Sequence, residues 1–268
     1  MRKKLQKKLL RLRAILSKMQ SILIAYSGGA DSSLLLKISK DVLVKNVLAV
    51  TAKSPLYPED EIKEAKSIAK KIGAKHMIIS TNELQNIAFA RNPVNRCYLC
   101  KKELFKELTK IARKNNLNYI ADGSNLDDNK DYRPGSLALR EFKIRSPLKE
   151  ARLTKQDIRE LSKSFRLSTW DKPAFACLAS RIPYKEKINE NNLSKIKKGE
   201  QAIKKLGIKQ ARVRHYDNLA RIEVASEDIS RAIRHRKIII NKMKKLGYNY
   251  VCIDLQGYRT GSLNEVLH

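Results

Sequence analysis

The sequence predicts an α/β protein, a doubly wound parallel sheet with a smaller C-terminal α+β domain. Short apolar runs alternate with amphipathic segments through the first half of the chain, as in parallel sheets with helical crossovers. After about residue 185 the pattern changes to paired alternating runs that are typical of a hairpin. We therefore expect a nucleotide-binding domain at 1–168, an active-site loop or linker at 169–190, and a domain for substrate binding or oligomerisation at 191–268.

The composition is that of a globular protein, 42% hydrophobic and 31% charged, and its 268 residues can form one large core or two smaller ones. No apolar stretch approaches the roughly 20 residues that span a membrane. Lys and Arg number 57 against 27 acids, which gives a net charge of +30. This charge attracts polyanions without choosing among them, and a general lysine bias explains it equally well. No signal peptide is recognised, so we expect a cytoplasmic protein without a disulfide framework.

Residues 1–20 are basic, contain no acid and place leucines at helical spacing. They predict a helix packed on the first domain. A membrane-surface helix and a transit peptide are the alternatives.

The elements of the first domain follow in order. Strands are predicted at 21–26, 46–51, 76–80 and 118–122. Helices are predicted at 34–42, 59–73 and 101–116, and Thr154 is predicted to cap another that runs through Leu161. Ligands of such sheets bind beyond the carboxyl ends of the strands, so the 27–33, 51–58 and 122–128 segments should meet around one ligand.

The C-terminal part predicts a helix at 192–206, a hairpin of strands 211–216 and 220–224, a helix from about 226 to 246, and a last strand. These strands suggest a small antiparallel sheet. Cys252 alternates with its apolar neighbours in the last strand and is expected to be in the core.

The loop SGGADSS, residues 27–33, joins the first strand to a helix. Its glycines allow a tight turn, and the free N–H groups at a helix start favour an anion, so phosphate or pyrophosphate is the expected guest. A plain βα turn with a serine N-cap is the alternative. The loop is neither a Walker A loop nor a GxGxxG loop. The candidate nucleotide-binding residues are Ser27, Gly28, Gly29, Asp31, Ser32, Ser33, Thr51, Ser54 and Gly123.

Two further segments contain cysteines. Cys97 and Cys100 form a CxxC pair, which suggests metal, cluster or thiol chemistry. Cys177 lies in the 170–184 segment, which has no helical or strand period and is too long for a simple connection. Arg181 could lower the pKa of the Cys177 thiol, although a buried structural thiol is equally consistent.

The 27–33 loop resembles the pyrophosphate loop of PP-loop ATP pyrophosphatases. More narrowly, the chain resembles the LarE family, ATP-dependent sulfur-insertion proteins of nickel-pincer cofactor synthesis. The stretches that carry this resemblance are 27–32, 92–101, 122–128, 131–135, 145–148, 170–184, 212–215, 221–224 and 254–262.

The resemblance implies that the chain adenylylates the carboxylates of pyridinium-3,5-biscarboxylic acid mononucleotide and replaces oxygen with sulfur. Cys177 matches the sulfur-delivering position. In one branch of the family this cysteine is sacrificed and becomes dehydroalanine. In another, three cysteines hold a [4Fe-4S] cluster, and Cys97, Cys100 and Cys177 fit that branch, with the pair expected in a loop. Zinc would be one ligand short.

The resemblance also implies ATP and Mg²⁺, with the metal held by Asp31 and Asp128, and Lys101 near the α-phosphate. It gives substrate-binding roles to Arg181, Arg212, Arg214, Glu200 and Glu223. A surface position for Glu200 is equally consistent with the sequence. The resemblance further implies a small nucleotide-like substrate, a sulfide donor and a homo-oligomer.

Four other activities remain open. A tRNA thiolase fits the net charge, although no separate RNA-binding domain is visible. An amide ligase of the NAD or GMP synthase type would leave the three cysteines unexplained. A cluster-dependent desulfidase and a non-catalytic nucleotide sensor are the remaining alternatives.

Overall fold

A computed structural model describes residues 2–130, 134–173, 176–259 and 261–267. The strands are β1 (Ile22–Ala25), β2 (Val47–Lys53), β3 (Lys75–Ser80), β4 (Tyr119–Ala121), β5 (Ala211–Tyr216), β6 (Leu219–Val224) and β7 (Tyr250–Ile253). The α-helices are α1 (Lys3–Met19), α2 (Ala30–Leu43), α3 (Glu59–Ile72), α4 (Ile87–Ala90), α5 (Arg96–Lys114), α6 (Gly135–Glu141), α7 (Pro147–Glu150), α8 (Lys155–Ser164), α9 (Glu190–Lys204), α10 (Ile229–Arg234) and α11 (Arg236–Lys245).

The chain forms two compact units. The first comprises residues 1–83 and 95–175, and the second comprises 84–94 and 176–268. The short segment 84–94, which contains α4, therefore belongs with the C-terminal residues. Each unit has its own sheet.

The first unit is built on a four-stranded sheet in the order β3-β2-β1-β4, with every neighbouring pair parallel. Successive residues of β1 belong to different cores. Ile22 and Ile24 pack into one apolar cluster and Leu23 into another. Because side chains alternate across a strand, the sheet is covered on both faces, which confirms the predicted doubly wound α/β fold.

Helices supply the two covering layers. One cluster contains buried residues of α1, α2, α3 and α8, and the other contains residues of α5 and α6. Leu5, Leu9, Leu12, Leu16 and Met19 of α1 are all buried, so the predicted packing of this basic helix is confirmed. On the remaining face of α1 most lysines are exposed, whereas Lys8 forms a salt bridge with Asp157 of α8.

Local signals define the helix ends. Helix α3 ends at Gly73, whose φ of 75° is left-handed. Helix α8 begins with a capping box, in which the Thr154 hydroxyl accepts a hydrogen bond from the Asp157 N–H and the Asp157 carboxylate accepts one from the Thr154 N–H. Both boundaries follow the sequence prediction.

The second unit contains a three-stranded sheet in the order β5-β6-β7. Strands β5 and β6 form the predicted antiparallel hairpin. Strand β7, however, pairs with β6 in parallel, so the sheet is mixed and the predicted antiparallel sheet is wrong in this respect. A parallel neighbour requires a crossover, which α10 and α11 provide.

Three further expectations are corrected. Helix α5 begins at Arg96, so Cys97 and Cys100 lie in its first turn and not in a loop. Cys252 is exposed, because Val251 and Ile253 take the side of β7 that faces the core. The expected helix at 226–246 is divided between α10 and α11 at His235. None of the helices in the described part of the chain is long and apolar enough to cross a bilayer.

Candidate functional site

The 27–33 loop has a backbone that admits only a glycine at position 28. Gly28 has a φ of 72°, and a Cβ built there would lie 2.6 Å from the Ala65 Cβ of α3. Gly29 caps α2, and its N–H donates to the Ser27 hydroxyl at 3.3 Å. The Ser27 and Ser32 hydroxyls are 3.1 Å apart. The loop therefore lies tightly against α3 and opens towards the start of α2.

The ends of three parallel strands surround one cavity in the first unit. Its volume is about 610 Å³. It is lined by most residues of the 27–32 loop and of the 122–128 segment, which follow β1 and β4. Thr51 and Ala52 near the end of β2, and Tyr57 after it, complete this part of the lining. The three segments that were expected to share a ligand do meet here, at the carboxyl edge where doubly wound sheets bind ligands. Gly123 allows the last segment to approach Ser32, since an added Cβ would lie 3.1 Å from the Ser32 nitrogen.

Asp31 is the acidic residue of the loop, and its two oxygens have different surroundings. Lys155 Nζ donates to Oδ2 at 2.5 Å. Oδ1 is buried and has no hydrogen-bond partner among the described residues. A buried carboxylate oxygen without a partner is costly, and oxygen-binding cations such as Mg²⁺ would satisfy it.

A carboxylate network holds the 122–128 segment. Asp122 accepts hydrogen bonds from Ser124 and, at 2.7 Å, from the Ser146 hydroxyl. Asp128 Oδ2 accepts the Asn125 N–H at 2.9 Å. One oxygen of the proposed magnesium ligand Asp128 thus stabilises its own loop.

Thr51 lies at the base of the cavity with a fixed orientation. Its hydroxyl donates to the Tyr26 carbonyl at 2.7 Å and lies 2.8 Å from His76 Nε2. Because the hydroxyl proton is already used, Nε2 is the donor in this contact. Burial, followed by the charge of Lys66, lowers the pKa of His76.

Two of the candidate serines serve the fold. The Ser33 hydroxyl is fully buried and is 3.3 Å from the Tyr26 hydroxyl. The Ser54 hydroxyl accepts the Leu56 N–H at 3.0 Å and closes a turn. Neither side chain lines the cavity.

Lys101 lines the cavity from α5, directly after the CxxC pair. Cys97 is exposed and Cys100 is partly exposed. Residues three apart in a helix share a face, so both thiols lie on one side of the first turn. Gly135 makes room for this lysine, since a Cβ there would lie 2.8 Å from the Lys101 Cδ.

In the second unit, a buried arginine anchors the cysteine loop. Cys177 is partly exposed and immediately precedes a 3₁₀ turn, Leu178–Arg181. The Cys177 carbonyl accepts hydrogen bonds from the Ser180 hydroxyl at 2.8 Å and from Arg181 Nη1 at 2.9 Å. Arg181 is fully buried and donates to both carboxylate oxygens of Glu200, at 2.8 and 3.1 Å. Glu200 is 5% exposed, so the alternative of a surface position is wrong.

Arg212 and Arg214 are both 5% exposed and share one face of β5, but their partners differ. Arg214 donates to both oxygens of Glu223 and to the Ser180 carbonyl. Arg212 donates to the Ala211 carbonyl at 2.9 Å, and its guanidinium lies 5.1 Å from the Tyr258 ring centre. Within the described part of the chain, no acidic side chain forms a salt bridge with Arg212.

The surroundings of Arg212 change the pKa of its guanidinium. Burial, followed by the charge of Arg181, lowers the pKa of the Arg212 guanidinium. The group nevertheless remains charged near neutral pH. A buried cation without a carboxylate partner is a suitable ligand for a phosphate or carboxylate of a substrate.

The candidate cluster ligands are divided between the units. Cys97 and Cys100 belong to the first unit and Cys177 to the second. Among the residues that the structure describes, no group of three or more His, Cys, Asp or Glu side chains is arranged to hold a metal. Residues 131–133, 174–175 and 260 of the family-like stretches lie outside the described residues.

The sequence analysis did not predict that Lys155 and Lys172 line the cavity. Lys172 is held by Glu61 at 2.8 Å and Glu64 at 2.7 Å. Lys155 follows the correctly predicted cap Thr154, but nothing in its local sequence distinguishes it from the chain's many surface lysines.

Comparisons with known proteins find relatives over most of the chain. Residues 21–167 match the family model of the arginosuccinate synthase N-terminal HUP domain. An uncharacterized protein of Synechocystis is 42% identical over 98% of this chain and 99% of its own length. The pyridinium-3,5-bisthiocarboxylic acid mononucleotide synthase of Lactiplantibacillus plantarum is 34% identical over 95% of this chain and 92% of its own. An uncharacterized protein of Methanocaldococcus jannaschii is 35% identical over 95% and 98%, respectively.

Proposed function

The chain belongs to the LarE family of PP-loop enzymes, which are ATP-dependent sulfurtransferases, and we propose that its acceptor is a pyridinium-3,5-biscarboxylic acid mononucleotide or a close analogue. The observation that carries the proposal is the cavity at the sheet edge. There a phosphate-type loop presents Asp31 with an unsatisfied buried oxygen beside three lysines.

The first step activates a carboxylate. A carboxylate oxygen of the acceptor attacks the α-phosphorus of ATP, the bond to the β-phosphate oxygen breaks, and pyrophosphate leaves. The 27–33 loop would hold the departing pyrophosphate through N–H groups at the start of α2. Asp31 is the residue that would hold Mg²⁺, because its Oδ1 needs a partner, and Asp128 is the second candidate. Lys101 would contact the α-phosphate from α5.

The second step delivers sulfur. A sulfur nucleophile attacks the acyl carbon, and AMP departs with the former carboxylate oxygen. In the sacrificial route the sulfur is that of Cys177. Its Cβ–Sγ bond then breaks as the Cα proton is removed, which leaves a thiocarboxylate and dehydroalanine.

The alternative route would use an iron–sulfur cluster held by Cys97, Cys100 and Cys177. Two thiols on one face of the first turn of α5 fit such ligation, and the third thiol is partly exposed. A [4Fe-4S] cluster would supply a sulfide at its open iron in place of the cysteine's own sulfur. Cys177 is required by both routes, and Arg181 would fix its backbone in either case.

The acceptor's anionic groups would bind at Arg212. This binding would be supported by the Arg214–Glu223 pair on the same face of the sheet. The Arg181–Glu200 pair would support it from the adjoining turn. Among the described residues, Arg212 is thus a buried guanidinium without a carboxylate partner, whereas Arg181 and Arg214 each have one.

The proposal is tested by pyrophosphate release and thiocarboxylate formation from ATP and the bis-carboxylate acceptor. The Cys177→Ser variant should release pyrophosphate with acceptor present but form no thiocarboxylate, because only the second step needs sulfur. Cys252→Ser is the control and should form product normally. Pyrophosphate release that does not depend on the acceptor would argue against the proposed substrate.

The net charge of +30 favours one second candidate, tRNA thiolation. A gel shift with tRNA at moderate salt separates the two, because non-specific phosphate contacts weaken steeply as salt rises.

A further inference from the structure

Lys155 has a fixed backbone and a side chain that ends in the cavity. It is the first residue of α8, and its N–H donates to Asp127 Oδ2 at 2.8 Å. The capping box of Thr154 holds the same turn. Only the four-carbon side chain is therefore free to move, and its ammonium now lies 2.5 Å from Asp31 Oδ2.

This ion pair conflicts with the role of Asp31 as a metal ligand. Mg²⁺ binds carboxylate oxygens at roughly 2.0–2.1 Å. A divalent cation at that distance would repel an ammonium bound to the same carboxylate. The side chains of Lys155 and Asp31 are 30% and 25% exposed, so the pair is accessible to a competing ion.

A second anionic partner would be available to the Lys155 ammonium when Mg²⁺ binds together with its nucleotide. The 27–33 loop presents its N–H groups beside Asp31, so the phosphates bound there would lie within reach of a lysine that already touches this aspartate.

We infer that Lys155 is a phosphate ligand that exchanges the Asp31 carboxylate for the pyrophosphate part of ATP when Mg²⁺ binds Asp31. This inference rests on the proposed function only in that ATP is cleaved between its α- and β-phosphates. As that bond breaks, negative charge grows on the leaving pyrophosphate, and the Lys155 ammonium neutralises it.

The other lysines of the cavity are less suited to this exchange. Lys172 is held by two carboxylates, Glu61 and Glu64, outside the loop. Lys101 lies on α5 beside the CxxC pair. Lys155 is the lysine that contacts the acidic residue of the loop itself.

The test measures two affinities in the full-length chain. Pyrophosphate binding at saturating Mg²⁺ is followed by calorimetry, and Mn²⁺ binding without any phosphate is followed by EPR. In Lys155→Met we expect pyrophosphate binding to weaken by about 10- to 100-fold, because one charge-assisted hydrogen bond is lost. Mn²⁺ binding should stay unchanged or become tighter, because the competing ammonium is gone. Lys155→Arg should recover part of the pyrophosphate affinity.

Lys149→Met removes an exposed lysine of the neighbouring helix α7 and should leave both affinities unchanged. Unaltered pyrophosphate binding in Lys155→Met would overturn the inference. A parallel loss of pyrophosphate and Mn²⁺ binding would also overturn it, since Lys155 would then only position Asp31. Neither measurement needs the acceptor or sulfur, so a wrong acceptor would not affect the result.

Discussion

Arg214 donates to Glu223 through two hydrogen bonds, 2.9 Å from Nε and 2.7 Å from Nη2, whereas Arg212 on the same strand face has no salt bridge among the described residues. Glu223 is completely buried. Breaking a buried pair leaves an uncompensated charge, while removing a lone cation removes a desolvation cost. We therefore expect Arg214 to contribute to the stability of the fold and Arg212 to acceptor binding.

We predict that Arg212→Met raises the acceptor's KM by about 10- to 100-fold and leaves the KM for ATP unchanged, because a charge-assisted contact is worth roughly 1.5–3 kcal/mol. Steady-state kinetics with each substrate varied would measure this. Arg214→Met is the matched comparison. It should lower the free energy of unfolding by about 1.5–3 kcal/mol in a urea titration, because Glu223 loses its two hydrogen bonds from Arg214 but keeps one from Arg221. If Arg212→Met left acceptor kinetics unchanged, Arg212 would have only a structural role.

Asp31→Asn should abolish acceptor-dependent pyrophosphate release while the protein stays folded. The amide keeps the size of the side chain but cannot supply a charged oxygen to Mg²⁺. A coupled pyrophosphate assay and circular dichroism measure the two effects. Asp41→Asn, on the same helix but paired with Lys37 at the surface, is the control and should keep full activity. Normal pyrophosphate release by the Asp31→Asn variant would show that Asp31 is not the metal ligand.

Gly28→Ala should be more harmful than Gly73→Ala, although the two glycines have φ values of 72° and 75°. Both substitutions incur the cost of a left-handed backbone, about 1–2 kcal/mol. Only at position 28 does the new Cβ meet another atom closely, the Ala65 Cβ at 2.6 Å, whereas at 73 the nearest atom is 4.0 Å away. We expect Gly28→Ala alone to weaken ATP binding at least tenfold in a calorimetric titration; equal effects would show that α3 does not constrain the loop.

The three-cysteine cluster makes its own prediction. Protein purified without oxygen should be brown and contain about four irons per chain, as a [4Fe-4S] cluster requires. Serine at position 97, 100 or 177 should remove the colour and the iron, and Cys252→Ser should not. Colourless wild-type protein that carries dehydroalanine at 177 after turnover would identify the sacrificial route instead.

The sequence predicted best where local chemistry determines structure. The Thr154 cap, the Gly73 terminus and the buried face of α1 depend on neighbouring residues and helical spacing, and all three are found. The parallel sheet followed from its uninterrupted apolar strands. The meeting of the 27–33, 51–58 and 122–128 segments followed from the sheet's topology.

The predictions failed where contacts between residues far apart in the sequence determine the structure. Nothing local shows that β7 pairs in parallel with β6, and this pairing sets which side of β7 faces the core and leaves Cys252 exposed. Cys97 and Cys100 extend α5 beyond the apolar pattern that defined its start. The ammonium of Lys155 is paired with Asp31, more than a hundred residues earlier in the chain. Sequence spacing does not reveal such partners.

The most direct test of carboxylate adenylylation follows the acceptor's oxygen. The acceptor is prepared with heavy-isotope oxygen in its carboxylates and incubated with ATP, Mg²⁺ and the anaerobically purified enzyme, and the AMP is analysed by mass spectrometry. We predict one heavy oxygen in AMP for each thiocarboxylate formed, because the carboxylate oxygen leaves with the adenylate. Unlabelled AMP, or ADP as the nucleotide product, would contradict activation of a carboxylate at the α-phosphate.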